Sequence, residues 1–271
     1  MKRGAQGYVY ATTGQDYTTL ARRAARTLRD AIPDAQIDLF TDQDIDDPIF
    51  DQIHRLEIDW KFPKIEAMQR SRFRDTIMLD ADTVILTDVS ELFSMAQHYP
   101  LSACIGYARP AYIFTSQRDL PRWVPVLNSG VLVFRQGRRI RKLARAWGKT
   151  MIKHKQTHDQ PPLRRLCCDL GIQTGIIPPE YNLIHLTMLD VWEPHMAAPR
   201  ILHVRGLHRK PPGDPLVPIT LRDVVSEAHA GMIEDLFAAE TLWKADATPL
   251  PWPRRSKIGQ KLLSVWKHVS S

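Results

Sequence analysis

The sequence predicts an α/β fold: a mainly parallel central sheet flanked by helices, followed by a C-terminal helical extension. Three observations carry that prediction. Strand-like and helix-like segments alternate through the first half of the chain. The stretch Thr76-Ile77-Met78-Leu79 is apolar without alternation, as in a strand covered on both faces. After the run Pro211-Pro212-Gly213-Asp214-Pro215 the pattern turns helical, which divides a domain over residues 1–211 from an extension over 212–271.

Residues 8–11 form the first short strand. Residues 16–31 then place Leu20, Ala24 and Leu28 at helical spacing, with Asp16 as the expected cap. Residues 37–40 make a second strand closed by Thr41-Asp42, and residues 53–58 a third. A helix is expected over 63–72, its first turn suited to Pro63. Val126-Leu127 and Val131-Leu132-Val133-Phe134 flank Asn128-Ser129-Gly130, which predicts a strand pair or a bent strand. Residues 138–153 have helical spacing and a heavily basic face, 161–170 make a short helix, and 201–203 a last strand. Residues 221–243 read as one helix capped by Thr220.

Bulk composition sets limits. With 271 residues, 44% of them hydrophobic and 25% charged, the chain is that of an ordinary globular protein, not a disordered or collagenous one. Its formal net charge of +7 favours anionic partners. Three cysteines, two of them adjacent (Cys167 and Cys168) and none in C-x-x-C spacing, argue against a disulfide framework or a zinc site. No run approaches the roughly 18 apolar residues of a membrane span, and no secretory segment opens the chain. A cytoplasmic location is therefore expected.

The sharpest chemical feature is Leu79-Asp80-Ala81-Asp82 at the end of the apolar strand. Residues two apart in extended backbone project from the same side, so the two carboxylates converge. Close carboxylates repel unless a cation lies between them, and a hard divalent ion with oxygen ligands meets that need. Strand carboxyl ends are also where open α/β sheets gather ligands. The structural alternative is a turn that happens to use two aspartates.

Residues 74–93 around this pair resemble the D-x-D segment of GT-A (Rossmann-like) glycosyltransferases, and look most like glycosyltransferase family 8. That resemblance implies that Asp80 and Asp82 bind Mn2+ (or Mg2+), which bridges the diphosphate of a nucleotide-sugar co-substrate. Lys64 matches a basic residue that the family carries on the preceding helix. Asn128-Ser129-Gly130 resembles the family strand that lies against the donor sugar, and Asp159-Gln160 its D-Q dipeptide near the anomeric carbon and acceptor. Tyr181-Asn182 matches a downstream Y-N pair. His203 falls where the family has a third metal ligand, in a segment running through Gly206 to a basic residue. Arg209 stands in the place of that residue and Lys210 follows it, so the sequence leaves open which of them reaches phosphate. Ala11, Thr12, Thr13 and Tyr17 have the family's strand–loop–helix shape around the nucleobase, with uridine the base implied and Thr13 departing from the usual acidic or amide residue. Ala81 completes the donor set, and family members retain anomeric configuration.

The resemblance thus implies a hexosyltransferase acting from a nucleoside-diphosphate sugar on a glycan or glycolipid acceptor. Two other enzyme-like readings are a sugar nucleotidyltransferase, for which a Gly-rich phosphate loop would be needed and only Gly14 is present, and a sugar-nucleotide-binding protein without catalysis. A nucleic-acid-binding module would fit the net charge, but the basic residues are scattered and no aromatic platform interleaves them. Finally, residues 254–271 place Ile258, Leu262, Val265, Trp266 and Val269 at helical spacing among Arg254, Arg255, Lys257, Lys261 and Lys267. Such a helix either packs on its own domain or lies in an anionic membrane surface. The second case implies peripheral contact with the inner face of a membrane and a role in polysaccharide or lipid-linked glycan synthesis.

Overall fold

The structure, a computed structural model, describes residues 4–58, 62–107, 117 and 119–245. The expected amphipathic tail over 254–271 lies outside them. Among the described residues, seven strands form the main sheet in the order β3-β2-β1-β4-β7-β6-β8. They are β1 (Gly4–Thr12), β2 (Ile37–Thr41), β3 (Gln52–Arg55), β4 (Phe73–Leu79), β6 (Leu101–Ile105), β7 (Leu127–Arg135) and β8 (Thr174–Ile177). Four pairings are parallel, β1 with β2, β1 with β4, β2 with β3 and β6 with β8, while β7 runs antiparallel to both β4 and β6. Two short strands, β5 (Thr83–Ile85) and β9 (Ile201–His203), make a separate antiparallel pair.

The unalternated strands follow from cover on both faces. Tyr8, Tyr10, Ile77, Leu79, Val131 and Val133 pack into one core with Leu20, Ala24 and Leu28 of helix α1 (Gln15–Ala31). Their neighbours Val9, Met78, Leu132 and Phe134 pack into a second core with helices α2 (Pro63–Arg70), α4 (Arg138–Lys153) and α5 (Gln160–Asp169). A short helix α3 (Met95–His98) precedes β6. Gly7 shows how close this packing is, since a Cβ there would sit 2.2 Å from Phe73 Cζ.

Several expected elements differ. Gly14, at φ 78°, caps α1 and donates its N–H to Asp42 Oδ1 at 2.8 Å, while Asp16 falls in the first turn. The loop must reverse direction in left-handed backbone, and glycine takes that conformation without penalty. The bent strand is one continuous β7. Its register against β6 jumps between Ala103↔Leu132 and Cys104↔Asn128, leaving residues 129–131 bulged opposite a single step of the partner. The single helix expected after Thr220 is broken into α6 (Leu221–Val224) and α7 (Glu227–Ala245). Thr220 does cap the first, in a reciprocal capping box with Asp223.

Residues beyond the proline-rich run lie against the main body. Arg23 of α1 donates to the carbonyl oxygens of Pro212 and Val217, and Arg26 to that of Leu216. Ile233 and Leu236 of α7 join the first core. All three cysteines are free thiols. Among the described residues, no helix is long and apolar enough to cross a membrane.

One buried ion cluster ties α1 to the loop before β3. The Asp47 carboxylate is fully buried and accepts from Arg22 and from Arg26, the latter at 3.0 Å. Burial works to raise its pKa, but the bonds from Arg26 and Arg22 outweigh it and hold the carboxyl below its usual value. A lowered folded-state pKa contributes stability that is present above the unfolded pKa of about 4 and fades as pH falls below it. Asp47→Ala is expected to cost about 3–5 kcal/mol at neutral pH, because it strands two guanidinium groups. Urea midpoints at pH 7 and pH 3 check this, the gap between the two proteins narrowing at the lower pH.

Candidate active site

The site is assembled where β4 ends. Asp80 N donates to Gly130 O at 2.9 Å, so the first turn after β4 is pinned to the bulge in β7. Thr83 closes that turn by donating its hydroxyl to Asp80 O at 2.7 Å. The chain then enters β5, whose pairing sets Thr83 opposite His203, and Val204 N donates to Asp82 O at 2.8 Å. The three-residue pair β5–β9 therefore delivers a histidine from late in the sequence to both aspartates. His203 Nε2 lies 3.3 Å from Asp82 Oδ1 and 4.0 Å from Asp80 Oδ2. One ligand atom from each of Asp80, Asp82 and His203 falls within 4.8 Å of the other two.

The donor set fits a divalent cation. His203 Nδ1 is 2.9 Å from Asn182 Oδ1, and Asn182 Nδ2 donates to Asn128 Oδ1 at 2.8 Å. Because the Asn182 amide nitrogen is committed to Asn128, its oxygen accepts from Nδ1–H, which leaves Nε2 to face the carboxylates. Holding one ring nitrogen with a fixed acceptor is how proteins orient imidazole ligands. Gly130 N donates to the same Asn128 oxygen at 2.8 Å, which completes a rigid chain from the bulge to the imidazole.

Lys64, in the first turn of α2, is the second organising charge. Its Nζ lies 2.7 Å from Asp80 Oδ1 and 3.4 Å from Asp159 Oδ2, and donates to Ser129 O and Oγ at 3.3 and 3.2 Å. The two oxygens of Asp80 are thus divided, one held by Lys64 and the other turned toward His203. Desolvation opposes the Lys64 charge, but Asp80 and Asp159 overcome it and raise its pKa. Burial raises the Asp80 carboxyl despite Lys64 and His203. Burial also opposes the Asp82 charge, but there the bond to His203 and the charges of His203 and Lys64 together outweigh it and lower the pKa. Asp82 and Asp80 in turn raise the His203 imidazole against desolvation.

Asp159 stands at the start of α5 without capping it by its side chain. Its carboxylate instead accepts from Ser129 Oγ at 2.8 Å, and its carbonyl accepts from Trp147 Nε1 at 2.9 Å. The helix origin is fixed by the core, and the acid it carries is turned into the site.

Two clefts open from these groups. One, of about 430 Å³, is lined by Ala11, Thr12, Thr13, Tyr17, Ala81 and Asp82 among others. The other, of about 450 Å³, is lined by Asn128, Ser129, Gln160, His185, His203 and Arg205 among others. Lys64, Asp80 and Asp159 border both. The two clefts thus bring together most of the residues the sequence singled out, while Gly130, Gly206, Arg209 and Lys210 line neither. Gly206, at φ 81°, starts the turn Leu207–Arg209. Burial and the charges of Asp82 and Asp80 raise the pKa of the Tyr17 hydroxyl, and Arg209 lies close enough to oppose them in part. Bonds from Thr220 hold the Asp223 carboxyl below its usual value, and Lys210 lies near enough to add to that. His208, which no sequence argument selected, stacks on Tyr17 at 5.5 Å between centroids and lines the first cleft. Asn182 had only its place in a weak dipeptide to mark it.

No curated protein matches the chain in sequence. Among solved structures, the glycosyltransferase GlyE of Streptococcus pneumoniae superposes with a TM-score of 0.53 at 16% identity, over 91% of this chain and 66% of GlyE. The chain therefore spans just under two thirds of GlyE's length. The galactosyltransferase LgtC, solved in complex with donor and acceptor sugar analogs, gives 0.51 at 15% identity, over 90% of this chain and 97% of LgtC. These likenesses establish the GT-A fold. The sequence profile of the nucleotide-diphospho-sugar transferases matches residues 74–210, half of the chain, from the strand bearing the aspartates to the basic turn after His203. The chain belongs to the nucleotide-diphospho-sugar transferase family.

Proposed function

We propose that this protein is a metal-dependent glycosyltransferase that moves a hexose from a nucleoside-diphosphate sugar, with uridine as the base, to a glycan or lipid-linked acceptor with retention of configuration. The observation that carries this reading is the convergence of Asp80, Asp82 and His203 beside Lys64, at the junction of two clefts. Manganese or magnesium held there would neutralise charge on the departing diphosphate, a contribution worth several kcal/mol in comparable sites.

The residues divide the work by cleft. Ala11, Thr12, Thr13 and Tyr17 take the nucleoside on the first side. The junction takes the diphosphate and sugar, with Lys64 supplying positive charge that needs no proton transfer. Arg209, on the Tyr17 side, is the better placed of the two basic residues to reach phosphate. Asn128, Ser129 and Gln160 face the second cleft, where the sugar and the acceptor hydroxyl meet. Asp159 lies at the shared border and orients both, held by Ser129 and Lys64. No nucleophile is assigned.

A donor hydrolysis screen across UDP-, GDP- and CMP-sugars, with and without Mn2+, tests the reading. Turnover of a UDP-sugar that requires the metal is expected. Failure of every donor to bind or turn over with any divalent ion would sink it. A second expectation concerns the base. Tyr17 is 43% exposed and braced by His208, as a stacking platform requires. Base–aromatic stacking is worth about 1–3 kcal/mol, so Tyr17→Ala should raise donor KM by about 5- to 100-fold with kcat little changed. Steady-state kinetics in donor concentration would show it.

A further inference from the structure

Helix α4 carries positive charge that the fold does not neutralise. Arg138, Lys142, Arg145, Lys149 and Lys153 are all exposed and recur three or four residues apart. That spacing aligns them in one stripe about 22 Å long. The opposite side of the helix, including Leu143, Ala144 and Trp147, is fully buried. From residue 138 to residue 158 the sequence has no acidic residue. None of the five makes an ion pair among the described residues, whereas Arg22, Arg26, Arg72 and Arg200 elsewhere all do. Like charges one turn apart repel, and Arg138 sits at the helix N-terminus, where the dipole disfavours a cation. The helix is held by its buried face and is electrostatically incomplete on the other.

We propose that this stripe seats the protein on an anionic lipid surface. Three features favour lipid over nucleic acid. Ile152, 65% exposed, adjoins the stripe and gains only by reaching an apolar phase. The stripe bears no exposed aromatic side chain on which bases could stack, since Trp147 is buried. The chain leaves the last turn of α4 and within a few residues reaches Thr157 and Asp159 on the rim of the catalytic clefts. A protein seated by this face presents its cleft to molecules anchored in the same surface. The inference deepens the functional reading, on which the choice of a lipid-linked acceptor rests, but its evidence is independent of catalysis.

Vesicle flotation of the full chain tests it, with phosphatidylcholine vesicles compared against phosphatidylcholine–phosphatidylglycerol vesicles. The variant is Lys142→Gln, Arg145→Gln, Lys149→Gln, Lys153→Gln, which keeps helix-forming residues at exposed positions. Each basic side chain near an anionic surface contributes several-fold in affinity, so binding to the mixed vesicles should weaken about 30-fold or more. Binding of the unaltered chain should also weaken as salt is raised. Hydrolysis of soluble donor should be unchanged in the variant, which separates loss of seating from damage to the site. Undiminished flotation of the variant overturns the proposal, as does loss of binding only when Arg254, Arg255, Lys257, Lys261 and Lys267 are neutralised instead. Tighter binding of duplex DNA than of the mixed vesicles at equal salt overturns it too.

Discussion

Replacing Asp80 and Asp82 together by asparagine is expected to lower metal-dependent donor turnover by about 1,000-fold or more, with the melting temperature almost unchanged. The two halves of that expectation have separate physical reasons. Several kcal/mol of charge stabilisation at the leaving group corresponds to about three orders of magnitude in rate. Asparagine keeps the shape of each side chain but removes the negative charge that would hold a divalent ion. The fold does not depend on those charges. Burial raises the Asp80 carboxyl despite Lys64, so neutralising it relieves a desolvation cost, and Lys64 has a second acidic partner in Asp159 at 3.4 Å. The turn itself is closed by backbone and Thr83 bonds that asparagine leaves alone. Donor hydrolysis with Mn2+, Mn2+ binding by electron paramagnetic resonance and thermal melts are the three measurements. Full metal-dependent activity in the double variant would refute the assignment of these carboxylates.

What the sequence disclosed about this site follows from how each part is encoded. Asp80 and Asp82 are two residues apart on one strand, so local geometry alone makes them converge. His203 is brought to them by β5, a strand of three residues, and so short a run has no periodicity to read. Only a family resemblance pointed to the histidine, and only the β5–β9 register explains its position. Gly14 as the α1 cap was hidden because Asp16 offers a stronger local cap signal, which the loop overrides by bonding Gly14 to Asp42. The break between α6 and α7 falls at Val224-Val225-Ser226, where two β-branched residues precede a serine whose Oγ accepts from His229 N at the start of the next helix, a local signal outweighed by the helical spacing on either side. His208 and Asn182 act through partners distant in sequence, Tyr17 and the Asn128–His203 pair, and no local pattern marks such residues. Strands β1, β2, β4 and β7 were legible because cover on both faces makes them largely apolar, whereas β5, β6 and β8, of three to five residues, were not anticipated.

The bulge in β7 supplies the second large effect. Gly130→Ala is expected to lower metal affinity about 10- to 100-fold and reduce transfer at least in proportion, although the residue offers no side-chain atom to the metal. A Cβ at residue 130 would lie 2.3 Å from His203 Cε1, 2.4 Å from Nδ1 and 3.0 Å from Asn128 Oδ1. No real contact is that short, and the backbone cannot retreat, since Gly130 O holds Asp80 N and Gly130 N is bonded to Asn128. The imidazole must therefore move, giving up its bond to Asn182 and its aim at the carboxylates. Loss of such supporting geometry typically costs the stated range in affinity. Gly7→Ala is the comparison, because its Cβ would strike Phe73 in the core. It should cost about 1–3 kcal/mol of stability through overpacking while leaving metal affinity unchanged at temperatures where it is folded. Calorimetric titration of Mn2+ into both variants separates the cases. Equal metal affinity for Gly130→Ala and the unaltered chain would mean that His203 is not held against the bulge as described. Glycine is required at this point not for freedom of φ but for the space its missing side chain leaves to the imidazole of His203, which arrives from much later in the chain.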